Sequence, residues 1–273
     1  MTSVALALVA AVAWGAGGFL GGRASKLVSS TVVVWASGVM SIVMIGAGAL
    51  VLGGAERGTA LAWGFAGGVA VGVGGLVLYK GLAEGRMSVV APTAGVVGAA
   101  LPVAVDVVRG ERLGATIWLG IALALAAIWL LTTGGSEAGG GGVRMGVLAG
   151  VGFGLVFVFI DFAPDTSGLW PVVGTKLGSV AITSVLLVVA RPAISAARAH
   201  WLPISGLAVF DALATISYLE ASRTGSLAVA AVIASFYPAP TVALAAIVLR
   251  ERLTPTHWLG AGLALGAVTL ISL

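Results

Sequence analysis

Two charges lie where charges are costly. Asp211 is at the centre of an apolar stretch, 201–221, and Lys176 lies inside another, 169–190. At 1.5 Å per residue, Lys176 is roughly 10 Å from the start of its stretch. A charge near the middle of a bilayer costs at least ~2.5–3.5 kcal/mol unless it is paired or faces water. Opposite signs on neighbouring stretches predict an ion pair in which each group keeps the other ionised. Each charge also heads a polar stripe. Asp211, Thr215 and Tyr218 are spaced i, i+4, i+7, and Lys176, Ser179 and Thr183 are spaced i, i+3, i+7. Both spacings keep their residues on one helix face. A single hydroxyl says little, because it can bond its own helix carbonyl. Two stripes, each with a charge, predict the walls of an aqueous cavity, and Ser235 and Tyr237, beside Pro238 and Pro240, are expected to complete it. A salt bridge that only fixes packing is the competing reading of the pair. Trp14, Trp35, Phe153 and Phe157 lie well inside apolar stretches. They offer rings for stacking on a bound solute, or for packing alone.

Other chemistries have little to work with. The chain has no Cys, Asn or Gln, which removes disulfides and thiolate-held metals. His200 and His257 flank apolar stretches without metal-ligand spacing, and no Gly-rich loop ends in Lys-Ser or Lys-Thr to cradle a phosphate. No metal or cofactor is expected. Lys176 and Ser179 form the one conceivable nucleophile–base dyad. Nothing resembles a carbonyl filter or a ring of charges. Basic residues are scattered singly, with no run for a nucleic-acid backbone to follow. Asp106 is three residues before Arg109, a spacing that suits a local pair, and Asp161 and Asp165 read as solvated loop charges.

The elements that hold these residues follow from composition. Of 273 residues, 59% are hydrophobic and 9% charged, with net charge +4, a pI near 10.0 and mean hydropathy +1.14. A soluble domain carries about 25% charged residues, so the chain is an all-α integral membrane protein. A span needs about 20 apolar residues. Ten stretches qualify: 3–22, 31–52, 61–82, 87–108, 114–133, 144–162, 169–190, 201–221, 226–249 and 256–273. The apolar run from Val4 has no basic residue before it, so it reads as a retained membrane helix and not a signal peptide. Trp63, Trp118, Trp170, Trp201 and Trp258 fall near stretch starts, where indoles mark the membrane interface.

The chain also repeats itself. A Gly-rich linker, 134–143, separates a first unit, 1–133, from a second, 144–273. Arg109-Gly110-Glu111-Arg112-Leu113 is echoed by Arg250-Glu251-Arg252-Leu253, and Trp118-Leu119-Gly120 by Trp258-Leu259-Gly260 at an offset of 140. Tyr79 and Tyr218, and Trp14-Gly15 and Phe153-Gly154, correspond at an offset of 139. Five helices per unit insert the two copies in opposite orientations, predicting ten transmembrane helices as two inverted five-helix repeats. Pro92 and Pro102 are expected to interrupt the fourth helix, and Pro238 and Pro240 the ninth. Breaks in equivalent helices are the best sequence pointer to a site at the membrane midplane. Asp211 aligns with Gly72 and Lys176 with about Ala36, so the repeat is broken where the charges sit. Glycines four apart, as at Gly64, Gly68 and Gly72, let helices approach closely.

In this arrangement the chain resembles the drug/metabolite transporter superfamily, EamA type, over essentially its whole length. The resemblance rests on the ten stretches in two repeats, Trp14-Gly15 in the first and the Arg/Gly-Glu-Arg-Leu endings of the fourth and ninth. Pro238 matches a proline common in that family, whereas Gly98 takes its place in the first half. The resemblance implies a transporter or exporter of small metabolites and does not imply which one. The expected function is a secondary transporter, an exporter or exchanger, of a small metabolite such as an amino acid or related solute, and the chain's compactness points to a cytoplasmic (plasma) membrane. The expected partners are a small-molecule substrate, the lipid bilayer and protons, with the protein as monomer or homodimer. An uncoupled facilitator is the alternative. The resemblance implies both termini inside. Loop charge favours the reverse: Arg57, Arg109, Arg112 and Arg223 lie on that side, and Arg23, Lys26, Lys80, Arg86, Arg144, Arg191, Arg198, Arg250 and Arg252 on the other.

Overall fold

The computed structural model describes residues 2–83, 87–132, 140–249 and 255–272. Every regular element among them is helical. In the first half these are α1 (Thr2–Ser25), α2 (Ser30–Leu52), α3 (Arg57–Ala83), α4 (Met87–Val108) and α5 (Ala115–Thr132). The second half has α6 (Gly140–Asp161), a 3₁₀ turn (Asp165–Ser167), α7 (Trp170–Ala190), the short α8 (Ala196–Ala199), α9 (Trp201–Thr224), α10 (Leu227–Ala234), α11 (Pro238–Leu249) and α12 (Pro255–Ser272). Six of these helices, α1, α2, α3, α6, α7 and α9, contain stretches long and apolar enough to cross a membrane. The Arg250-Glu251-Arg252-Leu253 motif lies outside the described residues.

Two expectations change here. The linker is shorter than 134–143, because α6 already begins at Gly140. The fourth helix is not interrupted: α4 runs through both Pro92 and Pro102. A proline inside a helix leaves the carbonyl four residues earlier without its donor. For Pro102 that carbonyl belongs to Gly98, and it lies against Gly154 of α6, where an added Cβ would come within 3.1 Å of it. α6 thus approaches α4 closely at the carbonyl that Pro102 leaves without its donor. The second half does break, between α10 and α11 at Ser235–Tyr237, and Pro238 opens α11.

Packing across the chain is mutual. α1 lies against α9 and α3 against α6; α4 packs on α6, α5 on α12, and α3 along α7. The α3–α7 contact is nearly backbone to backbone. A Cβ on Gly64 would sit 2.0 Å from the Pro171 carbonyl oxygen, and one on Gly68 2.1 Å from that of Thr175. From the other side, a Cβ on Gly178 would sit 2.2 Å from the Phe65 carbonyl oxygen. Many large apolar side chains face outward, among them Val43, Leu50, Val188 and Val189, as expected where lipid is the solvent. Trp118 and Trp201 are exposed near helix starts.

Candidate functional site

Lys176 of α7 and Asp211 of α9 meet: Nζ lies 2.5 Å from Oδ2. Nζ also donates to Thr215 Oγ1 at 3.2 Å, and that hydroxyl donates to the Asp211 carbonyl at 2.7 Å. The indole N–H of Trp14 on α1 donates to Asp211 Oδ1 at 3.3 Å. The pair is thus satisfied from three helices, as a buried charge pair must be. It is not equally covered. The Lys176 side chain is 7% exposed and that of Asp211 26%, so the carboxylate faces open space and the ammonium lies behind it.

That space is a cavity of about 120 Å³ lined by both halves of the chain. Trp14, Ser179, Phe153, Phe157 and Tyr237 share it with the ion pair, and so do Tyr79, Ser37 and Gly75. Its walls are mostly apolar and aromatic, with one charge pair on one side. Toward the face where α2 begins and α3 ends it reaches Val34 and Tyr79. Toward the opposite face it runs past Trp14 and Phe157 to Ile160 and is bordered by a ring cluster. Phe157 and Tyr218 have centroids 4.4 Å apart, and Trp14 lies 5.5 Å from Phe157 and 5.8 Å from Tyr218.

The structure brings Lys176, Asp211, Thr215, Ser179, Trp14 and Tyr237 to the cavity and leaves other expected residues out. Tyr218 is fully buried behind Trp14 and Phe157, off the cavity wall. Thr183 is bonded back to the Ser179 carbonyl at 2.7 Å and also lies off the wall. Ser235 is buried at the end of α10. Trp35 is held by Ser184, its Nε1 donating at 2.9 Å. Of the prolines, Pro238 opens α11 directly after the break, and Pro240, inside α11, packs against Gly15 of α1. The bonds of Lys176 go to Asp211 and Thr215 and not to Ser179, so the Ser–Lys dyad is not formed. Tyr79, Ser37 and Thr175 line the cavity but were not expected there. Repeat alignment carried a signal for Ser37, which stands at an offset of 139 from Lys176.

The Tyr237 hydroxyl is buried and has no hydrogen-bond partner among the described residues. A buried unpaired hydroxyl costs about 1–3 kcal/mol, and Tyr237 is on the cavity wall. Tyr237→Phe is therefore expected to leave the melting temperature unchanged or slightly raised. If a bound solute takes up the hydroxyl, the same change raises KM severalfold with little effect on folding. A melting curve beside a transport titration checks both.

Asp106 also departs from expectation. Arg109 reaches it only at 3.9 Å. Its Oδ2 instead accepts from the Ala228 N–H at 2.6 Å and from Ser226 Oγ at 3.1 Å, at the start of α10. Asp161 is not a free loop charge either, for Arg109 Nη1 lies 2.5 Å from its Oδ2. Asp165 keeps to solvent, 85% exposed, with Arg223 3.9 Å away. The local Asp106–Arg109 pair forms, at 3.9 Å, and both partners also find shorter bonds in the other half of the chain.

Apolar helices wrapped around a central charge pair define a multi-pass helical membrane protein with an internal polar site. The EamA-like transporter family model matches residues 140–273, the half that supplies both charges, and that half of the chain is similar to that family of membrane transporters. One solved crystal structure of a protein shares the fold with a TM-score of 0.76, covering 98% of this chain and 95% of that one at 16% identity. No curated protein matches the chain.

Proposed function

We propose that the protein is a secondary transporter of a small metabolite, such as an amino acid or related solute, working by alternating access in a plasma membrane. In this reading α10 and α11 together make one span and α8 is a connector, which leaves ten spans in two inverted five-helix repeats. The observation that carries it is the Lys176–Asp211 pair at the wall of a cavity shared by both halves. Lys176 takes a substrate carboxylate, and Asp211, released from its partner, takes a proton. Aromatic walls receive the apolar part of the solute. Rocking of the halves about the cavity then exposes it to one side and to the other. The reading needs neither metal nor cofactor, and its partners are the solute, the proton and the bilayer, with no nucleic acid.

The test is reconstitution in liposomes holding a pH-sensitive dye, with pooled amino acids, sugars, nucleosides and cationic drugs added outside. One pool is expected to trigger proton movement in wild type and none in Asp211→Asn. A mutant that transports normally with unchanged pH dependence removes Asp211 from coupling. Proton silence in wild type alongside tracer exchange establishes the uncoupled facilitator instead.

A further inference from the structure

Outside the central cavity, the densest polar contacts join the two halves at one face, the one where α1 begins and α12 ends. There the Ala55 N–H donates to the Thr166 carbonyl at 2.9 Å, joining the loop before α3 to the turn before α7. Asp106, at the end of α4, is 1% exposed and caps the start of α10 through Ala228 and Ser226. Arg109, one turn on, reaches Asp161 at the end of α6. First-half residues thus hold second-half helices at two points a single turn apart. Just beneath them lies the Trp14–Phe157–Tyr218 cluster that borders the cavity. The face is closed twice, by rings inside and by charge-assisted bonds outside.

The repeat makes this closure one-sided. If the halves are inverted copies, closing the opposite face means that each half adopts the other's arrangement. The same bonds would then fall on the counterpart residues. At the offset of 140, Asp106 corresponds to Ala246, and at 139 Asp161 corresponds to Gly22, whereas Arg109 is echoed by Arg250. Neither Ala246 nor Gly22 can make such a bond. We infer that Asp106, Arg109 and Asp161 form a latch present in one half only, which makes closure at the α1-start face the resting state and its release the step that opens that face. The inference rests on the alternating-access reading above. It assigns to Asp106 a positioning role: the carboxylate touches no solute and acts by holding α10, the helix that leads to Tyr237.

Because the chain has no Cys, a single introduced thiol reports accessibility. Ile160→Cys samples the cavity wall next to Asp161, and Ser37→Cys samples the wall toward the other face. Oriented vesicles would be treated with a membrane-impermeant thiol reagent from each side. Losing a charge-assisted buried hydrogen bond shifts an equilibrium by about tenfold or more. Asp106→Ala is therefore expected to raise the labelling rate of Ile160→Cys from the α1-start face by about tenfold and to lower that of Ser37→Cys from the opposite face. Asp106→Asn keeps an acceptor oxygen and is expected to give a smaller rise. Arg109, 39% exposed at its side chain, supplies a second variant, Arg109→Ala, that decides the matter if Asp106→Ala does not fold. Unchanged rates in a folded variant overturn the latch. Transport by the same vesicles separates the two readings. A wild type that moves no tested solute overturns the carrier reading and the latch with it; a transporting wild type whose rates ignore the variants overturns the latch alone.

Discussion

Lys176→Met is expected to abolish transport and to lower stability by about 3 kcal/mol, because it strands Asp211 without its partner. Breaking a buried ion pair from one side costs about 3–5 kcal/mol. The lower end applies here, since the Asp211 side chain is 26% exposed to the cavity and keeps the Trp14 N–H. Asp211→Leu strands the more deeply buried group, Lys176, whose remaining partner is Thr215, and is expected to cost more. The informative protein is the double variant, Lys176→Met with Asp211→Leu. Replacing a whole buried pair by apolar groups of similar size is often neutral or stabilising. The double variant should therefore melt near wild type and still transport nothing. Melting in detergent beside uptake into liposomes reads both quantities. Restored folding with restored transport would reduce the pair to a packing device.

The pair was legible in the sequence because a charge in an apolar stretch has few ways to be satisfied. The stripe spacing found Thr215 and Ser179 for the same reason. What the spacing does not contain is which neighbour each face meets. Tyr218 shares a face with Asp211, yet Trp14 and Phe157 cover it. Thr183 shares a face with Lys176 but spends its hydroxyl on its own helix. Asp106 misled for a related reason. A local partner three residues away is visible in a sequence, whereas a backbone N–H over a hundred residues away is not. The glycines of α6 are legible as a close-packing motif, but their packing against α4 beside Pro102 is not.

The repeat alignment makes a sharper statement once the packing is known. Gly64, Gly68 and Gly72 of α3 correspond, at the offset of 139, to Pro203, Leu207 and Asp211 of α9. The first set lies on α7 with almost no side chain between the backbones. The second faces α2, where Leu207 and Asp211 take up the space and line the cavity. One interface is zipped, and its counterpart is held apart by the residues that make the site. Gly68→Ala is accordingly expected to be among the most damaging single-methyl additions in the chain. The new Cβ would meet the Thr175 carbonyl oxygen at 2.1 Å, so α3 and α7 must separate along their length. Overpacking of this kind costs about 1–3 kcal/mol, and backbone cannot rotate away as a side chain would, which argues for the upper end. The gain in helix propensity from Gly to Ala, about 1 kcal/mol, offsets only part of it. Gly262→Ala in α12 is the control: nothing among the described residues lies within 4 Å of its Cβ position, so only the propensity gain remains and the melting temperature should hold or rise. Because Thr175 adjoins Lys176, Gly68→Ala should also displace the ammonium and weaken solute binding, whereas Gly262→Ala should not. Equal melting temperatures for the two variants would mean that α3 and α7 are not packed backbone to backbone, and the contrast between a zipped interface and an open one would fall with them.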